Sequence, residues 1–217
     1  MTCAGVIFDL DGLLLDAEGL AIEAWVEALS ELGHAIDSGV VRDCIGLTEP
    51  QTLDRIAVHL GVALDREMTD AARSRAIERR IAAGVHAMPG AIELIDRIEA
   101  AGLPFAVATN SATGRAEHKI ECSALAGRVP VLVGFDQVAT GKPAPDVYLE
   151  AARRLGLDPA KCLAFEDSDT GTEAAMAAGM TVVQVPDLVP SVRNAAHFTA
   201  PDLAAGVEMA GLFSPVA

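Results

Sequence analysis

Two carboxylates, Asp9 and Asp11, stand one residue apart where the apolar run Val6-Ile7-Phe8 ends, and Gly12 follows at once. A buried strand that ends in paired acids needs a partner for them, because each desolvated charge is costly unless something compensates it. A divalent cation is a suitable partner. Alternation along an extended chain points residues two apart to the same side. One carboxylate could then attack phosphorus and bind the metal, while the other protonates the leaving oxygen and afterwards deprotonates water. The same Asp-Leu-Asp-Gly stretch could also be an exposed turn. Phosphoryl transfer at a Mg²⁺ site is therefore a hypothesis that the rest of the chain must complete.

Three further clusters could complete it. Thr109-Asn110-Ser111 follows the apolar run Phe105–Ala108 and could hold phosphate oxygens with hydroxyls and main-chain N–H groups at a helix start, or simply cap that helix. Lys142, in Gly141-Lys142-Pro143-Ala144-Pro145, is one of three lysines in the chain, with Lys119 and Lys161. The two prolines stiffen its loop and suit it to neutralising charge at phosphorus; the alternative is a solvated loop lysine. Glu166-Asp167-Ser168 is a second acidic strand end, either a Mg²⁺ ligand set or another helix cap. His34, His59, His86, His118 and His197 carry no motif and read as structural or solvated. Arg79-Arg80 could meet an anion, but late in a helix such charges usually complement its dipole.

These clusters must be brought together by elements far apart in sequence. Helical periodicity runs over residues 17–32, with Asp16 placed to cap it and Gly33 to close it, and continues near 38–44, 49–60 and 65–83. No strand pattern falls between 17 and 87, so a small all-helical domain over 17–87 is expected, inserted into a core domain of residues 1–16 and 88–217. Strands at Phe105–Ala108, Val131–Val133, Cys162–Phe165 and Thr181–Val185 alternate with helices near 90–101, 113–125, 145–155 and 170–178. That alternation predicts an α/β fold with a parallel sheet and helices on both faces. One or two short helices and a tail are expected beyond Pro186. In such sheets ligands bind past the carboxyl ends of the strands, where all four clusters lie.

Composition narrows the partners. The chain has 217 residues, of which 51% are apolar, enough for a sizeable core and against disorder. Its net charge of -15 argues against nucleic acid or an anionic membrane, and it means that a phosphate site needs local positive charge. Cys3, Cys44, Cys122 and Cys162 lack zinc-site spacing, and neither a disulfide framework nor a targeting segment is expected. No apolar run is long enough to span a membrane. The expected setting is a reducing cytoplasm, with a monomer as the default.

The stretches F-D-L-D-G, P-G-A-I-E-L-I, G-K-P-A-P-D and F-E-D-S-x-x-G resemble the haloacid dehalogenase superfamily, in the branch whose helical cap follows the first motif. The resemblance spans most of residues 5–186. It implies a Rossmann-like core with a helical cap domain and a Mg²⁺-dependent aspartyl-phosphate mechanism. By that resemblance Asp9 is nucleophile and metal ligand, and Asp11 is the acid/base and binds metal through its carbonyl. Thr109, Asn110 and Lys142 hold the phosphoryl group, Asp167 completes the metal site, and Glu166 is an outer or occasional ligand. Leu13 departs from the family, which usually has Thr there.

Within the family, Asp11 argues for attack on phosphorus rather than carbon. Residues 17–87 contain no lysine for Schiff-base chemistry. In the similar β-phosphoglucomutase branch a cap arginine holds a second phosphate; here the corresponding stretch is Gly46-Leu47-Thr48-Glu49, with an acid in that place. Hydrolysis of a small phosphorylated metabolite, a sugar phosphate monoester first, is the favoured reading. The mutase reaction is the alternative, and a non-catalytic phosphometabolite-binding protein the second. Glu18, Gly46, Leu47 and Thr48 are the candidates for substrate selection, and Trp25 is either core or cleft lining.

Overall fold

The computed structural model describes residues 3–45 and 47–213. They form two compact units, residues 1–16 with 86–217 and residues 17–85.

The first unit is built on strands β1 (Gly5–Phe8), β2 (Phe105–Ala108), β3 (Leu132–Val133), β4 (Cys162–Glu166), β5 (Thr181–Gln184) and β6 (Phe198–Thr199). They form one sheet in the order β3-β2-β1-β4-β5-β6, every neighbouring pair parallel. Both faces are covered, which is why β1, β2 and β4 are continuously buried rather than alternating with polar residues. On one face Ile7, Ala106, Ala164 and Val182 pack with Tyr148, Ala151 and Ala174, from helices α7 (Asp146–Leu155) and α8 (Asp169–Ala177). On the other, the Phe8 ring stacks on Phe165 at 5.5 Å and meets Phe105 edge-on at 6.2 Å. Gly206 of α9 (Leu203–Ala210) sits so close to Val183 and Phe165 that a Cβ there would force them apart. Helix α5 (Ala91–Ala100) lies against α9.

Register fixes the level of the strand ends. Phe8 is opposite both Val107 and Phe165, so the next residue, Asp9, emerges level with Ala108 and Glu166. The chain progresses from β1 to β2 and β3 on one side, then crosses to β4, β5 and β6 on the other. The boundary between β1 and β4 is thus the switch point at which open parallel sheets bind ligands.

Two expectations from the sequence are corrected here. The segment beyond Pro186 contains a sixth strand, β6, before α9; at two residues it is too short to show periodicity. Helix α6 (Thr113–Glu121) stops short of residue 125, where the Ser123 hydroxyl bonds Ile120 O at 2.8 Å and accepts Leu125 N–H at 3.1 Å. Where the chain returns to the first unit, Asp16 N–H donates to His86 O at 2.9 Å, and Leu15 bridges Ala87.

The second unit holds helices α1 (Ala17–Glu31), α2 (Ser38–Arg42), α3 (Glu49–Leu60) and α4 (Arg66–Ala83). Ala24 and Ala28 of α1 face Ala72 and Ala76 of α4, small residues that let two helix axes approach closely. Ile22, Trp25, Leu29, Val41, Leu53 and Ile56 form its larger core. Arg79 and Arg80 are committed to Glu27 at 2.7 and 2.9 Å, with further pairs to Glu31 and Glu23.

Candidate active site

Asp9 leaves the end of β1 with 6% of its surface exposed, its N–H bonded to Phe165 O at 3.0 Å. The loop after β3 returns Lys142 to it: the Lys142 ammonium, on a side chain 4% exposed, pairs with Asp9 Oδ1 and reaches Glu166 Oε1 at 2.5 Å. Asn110 holds that loop from both sides, accepting Lys142 N–H at 2.8 Å and donating to Lys142 O at 3.2 Å. Its side chain therefore positions the lysine. Gly141 is required beside it, because a Cβ there would press on Asn110 Oδ1. Thr109 is 1% exposed, and its hydroxyl accepts Ser111 N–H at 3.0 Å.

Glu166 is fully buried at the end of β4. Besides Lys142 it accepts Tyr148 Oη at 2.5 Å, and its Oε2 accepts the Ser168 hydroxyl at 3.1 Å. Ser168 also caps α8 through Gly171 N–H at 3.0 Å. A Cβ at Gly171 would overlap the Glu166 carboxylate, and one at Gly12 (φ 86°) would overlap Asp167. Both glycines are there so that carboxylates can approach the main chain.

Asp11 faces differently from Asp9. Its side chain is 28% exposed against 9% for Asp9, and its carboxylate is held by Lys119 and Ser111. Together Asp9, Asp11, Thr109, Asn110, Ser111, Lys142 and Asp167 line a cavity of ≈ 300 Å³.

The donor set suits a divalent cation. One ligand oxygen each from Asp9, Glu166 and Asp167 lies within 4.8 Å of the others. Burial, with the Glu166 and Asp11 charges adding to it against the opposing pull of Lys142, pushes Asp9 up to about 7. Burial, then the Asp9 and Glu166 charges, push Asp167 up to about 9. On Lys142 burial acts to lower the pKa, but the Asp9 and Glu166 carboxylates outweigh it and the net direction is up. Once all four are ionised, Asp9, Asp11, Glu166 and Asp167 exceed the Lys119 and Lys142 ammoniums by two negative charges, which one divalent cation would cancel.

Sequence reasoning misses two residues of this centre. Lys119 is given no role by the sequence, yet it is 6% exposed and lies against Asp11; its signal is its position on the buried stripe Ala116-Lys119-Ile120 of α6. Tyr148 is the chain's one tyrosine, six residues after Lys142, and its ring also lies 4.9 Å from the Lys142 ammonium. Of the selection candidates, Glu18 and Leu47 line a separate cavity of ≈ 180 Å³ within the helical unit, with Trp25 and Glu49. Trp25 belongs to that unit's core and borders this separate cavity. Thr48 is the N-cap residue of α3, its N–H and hydroxyl both on Gln51 Oε1 at 2.9 Å. Gly46 lies outside the described residues. Glu49 is paired with Arg73 at 2.6 Å, and Arg73 also lies over the Trp25 ring at 5.2 Å.

Residues 6–185 match the family model described as haloacid dehalogenase-like hydrolase. Protein CbbY of Rhodobacter capsulatus is 35% identical over 97% of this chain and 98% of its own length. Fructose-1-phosphate phosphatase YqaB of Escherichia coli K12 is 35% identical over 84% of this chain and 96% of its own. The crystal structure of a HAD family hydrolase from Deinococcus radiodurans R1, with bound phosphate and sodium, superposes with a TM-score of 0.80 at 30% identity and covers 99% of both chains. The chain belongs to the haloacid dehalogenase-like hydrolases. It is an enzyme, and its relatives place it among the phosphoric monoester hydrolases of that family. Among the described residues no helix is long and apolar enough to cross a membrane.

Proposed function

We propose that this chain is a Mg²⁺-dependent phosphatase that hydrolyses a small phosphorylated metabolite, a sugar phosphate monoester first, through an aspartyl phosphate on Asp9. The observation that carries the reading is the meeting of buried Asp9, Lys142 and the more exposed Asp11 in one polar cavity at the β1/β4 switch point. The E. coli relative named for fructose 1-phosphate supports the substrate class.

Asp9 attacks phosphorus in line with the leaving oxygen. As the P–O bond of the ester breaks, Asp11 gives its proton to the departing alcohol. Water then attacks the phosphorus of the acyl phosphate and yields a proton to Asp11, the Asp9–phosphorus bond breaks, and inorganic phosphate leaves. Lys142 sits beside Asp9 throughout, and Thr109 and the N–H groups following it offer donors to the phosphoryl oxygens. Asp9 and Asp167, with Glu166 behind them, would hold Mg²⁺, whose chemistry is to neutralise charge on the phosphoryl group. The candidates for selecting the alcohol remain Glu18, Gly46, Leu47 and Thr48.

The test is Asp9→Asn, assayed with p-nitrophenyl phosphate and a panel of phosphometabolites in Mg²⁺. Loss of all turnover with an unchanged circular dichroism spectrum is the expected outcome. Retained turnover would remove Asp9 from the role of nucleophile. Conversion of β-glucose 1-phosphate to the 6-phosphate by the wild type would favour the mutase instead.

A further inference from the structure

Lys119 projects from the buried face of α6, eight residues past Ser111, and none of the four sequence clusters includes it. Its ammonium places its donors on Asp11 Oδ1 at 2.5 Å, Asp11 Oδ2 at 2.6 Å and Ser111 Oγ at 3.0 Å. The Ser111 hydroxyl in turn donates to Asp11 Oδ2 at 2.7 Å. Both oxygens of one carboxylate are thus gripped, and the grip reaches Asp11 from β2's end and from the helix after it.

An ion pair with a buried lysine and a partly exposed carboxylate is a weak source of stability. Replacing one with apolar groups of similar volume is often neutral or stabilising, so what such a pair supplies is geometry. Here the geometry concerns a side chain that must exchange a proton with two partners in turn, the leaving oxygen and then water. A carboxylate with free torsions would have to be oriented at each step, and orientation in advance removes that cost from the barrier.

The two oxygens are not equivalent. Each carboxylate oxygen has two lone pairs. Oδ2 receives both Lys119 and Ser111, whereas among the described residues Oδ1 receives Lys119 alone. Oδ1 therefore keeps a lone pair for the reaction.

We propose that Lys119 is the positioning residue of Asp11, locking its carboxylate with Ser111 so that Oδ1 is the oxygen that carries the proton. The inference rests on the phosphatase reading above. Lys119 acts through Asp11, whose carboxylate it grips. Both Asp11-dependent steps then need it, protonation of an alkoxide leaving group and activation of water.

The experiment compares wild type, K119M and K119R on p-nitrophenyl phosphate with Mg²⁺, by steady-state and rapid-quench kinetics. Nitrophenolate leaves without a proton, so phosphorylation of Asp9 proceeds in K119M while attack by water is impaired. The expected result is a fall in kcat of about tenfold to a hundredfold, with KM much less affected, since positioned acid–base groups contribute on that scale. A burst of nearly one nitrophenolate per enzyme and an accumulated phosphoenzyme should accompany it, and K119R should recover part of the rate. Wild-type kcat without a burst in K119M would overturn the inference, as would a loss in which phosphate affinity falls and no phosphoenzyme accumulates. If K119M does not fold, S111A carries the test: a smaller fall with a burst supports the lock, and unchanged kinetics overturn it. A wild type that releases no phosphate from any monoester would overturn the phosphatase reading, and this inference with it.

Discussion

Tyr148 Oη and the Lys142 ammonium donate to the same oxygen, Glu166 Oε1, each at 2.5 Å. Tyr148 and Glu166 are both fully buried, so neither can turn to water for a replacement partner. The pair fixes where the Glu166 carboxylate points, and Glu166 in turn fixes the lysine beside Asp9. Burial, followed by the Glu166 and Asp9 charges, raises the phenol well above its usual pKa, so it stays a donor.

Tyr148→Phe should therefore lower both stability and rate. Losing a buried hydrogen bond to a charged acceptor costs about 1 to 3 kcal/mol, which corresponds to a fall in Tm of several degrees. A looser Lys142 should reduce kcat a few-fold while KM moves less. Thermal unfolding and p-nitrophenyl phosphate kinetics read the two effects. A variant indistinguishable from wild type in both would show that Glu166 is held without the tyrosine.

Much of this centre is legible in the amino-acid sequence. Asp9, Asp11, Lys142, Glu166 and Asp167 each stand beside an apolar run or a stiff Gly/Pro loop, and the strand–helix alternation says that those places share one edge of a sheet. What the chain order does not reveal is which helix face points into that edge. Lys119 looks like an ordinary helical lysine until the burial of Ala116 and Ile120 shows that its stripe is the inward one. Nor does the chain order reveal that the Asn110 side-chain amide spans the main chain of Lys142. Strand β6 is illegible because two residues carry no period.

Asp167 gives a prediction about the metal. Its carboxylate belongs to the Asp9–Glu166–Asp167 set and has no lysine of its own among the ion pairs described. Wild-type protein should gain thermal stability on titration with Mg²⁺ and lose the gain on chelation. A ligand that binds only the folded state contributes about 2.7 kcal/mol at a hundred times its Kd. Asp167→Asn should abolish most of that shift while leaving the metal-free protein folded. An undiminished Mg²⁺ shift in the variant would exclude Asp167 from the metal site.

Asp169 yields the pH prediction. Its Oδ1 accepts Ser191 Oγ at 2.6 Å and Gln184 Nε2 at 3.0 Å, and its Oδ2 accepts Val192 and Arg193 N–H, both at 3.1 Å. Burial works to raise this carboxyl, but these donors outweigh it and hold it at about 2, below the ordinary aspartate value. A group whose folded pKa is depressed stabilises the protein above the unfolded value, and the contribution fades as pH falls through the folded one. Asp169→Asn should thus be less stable than wild type near neutral pH, by about 1 to 3 kcal/mol for the lost charge-assisted bonds. The difference should narrow from about pH 4 downward and be nearly gone at about pH 2. Urea unfolding of both proteins at several pH values measures it. A gap that stays constant across that range would mean that the segment containing Ser191 to Arg193 is held by something other than the charge on Asp169.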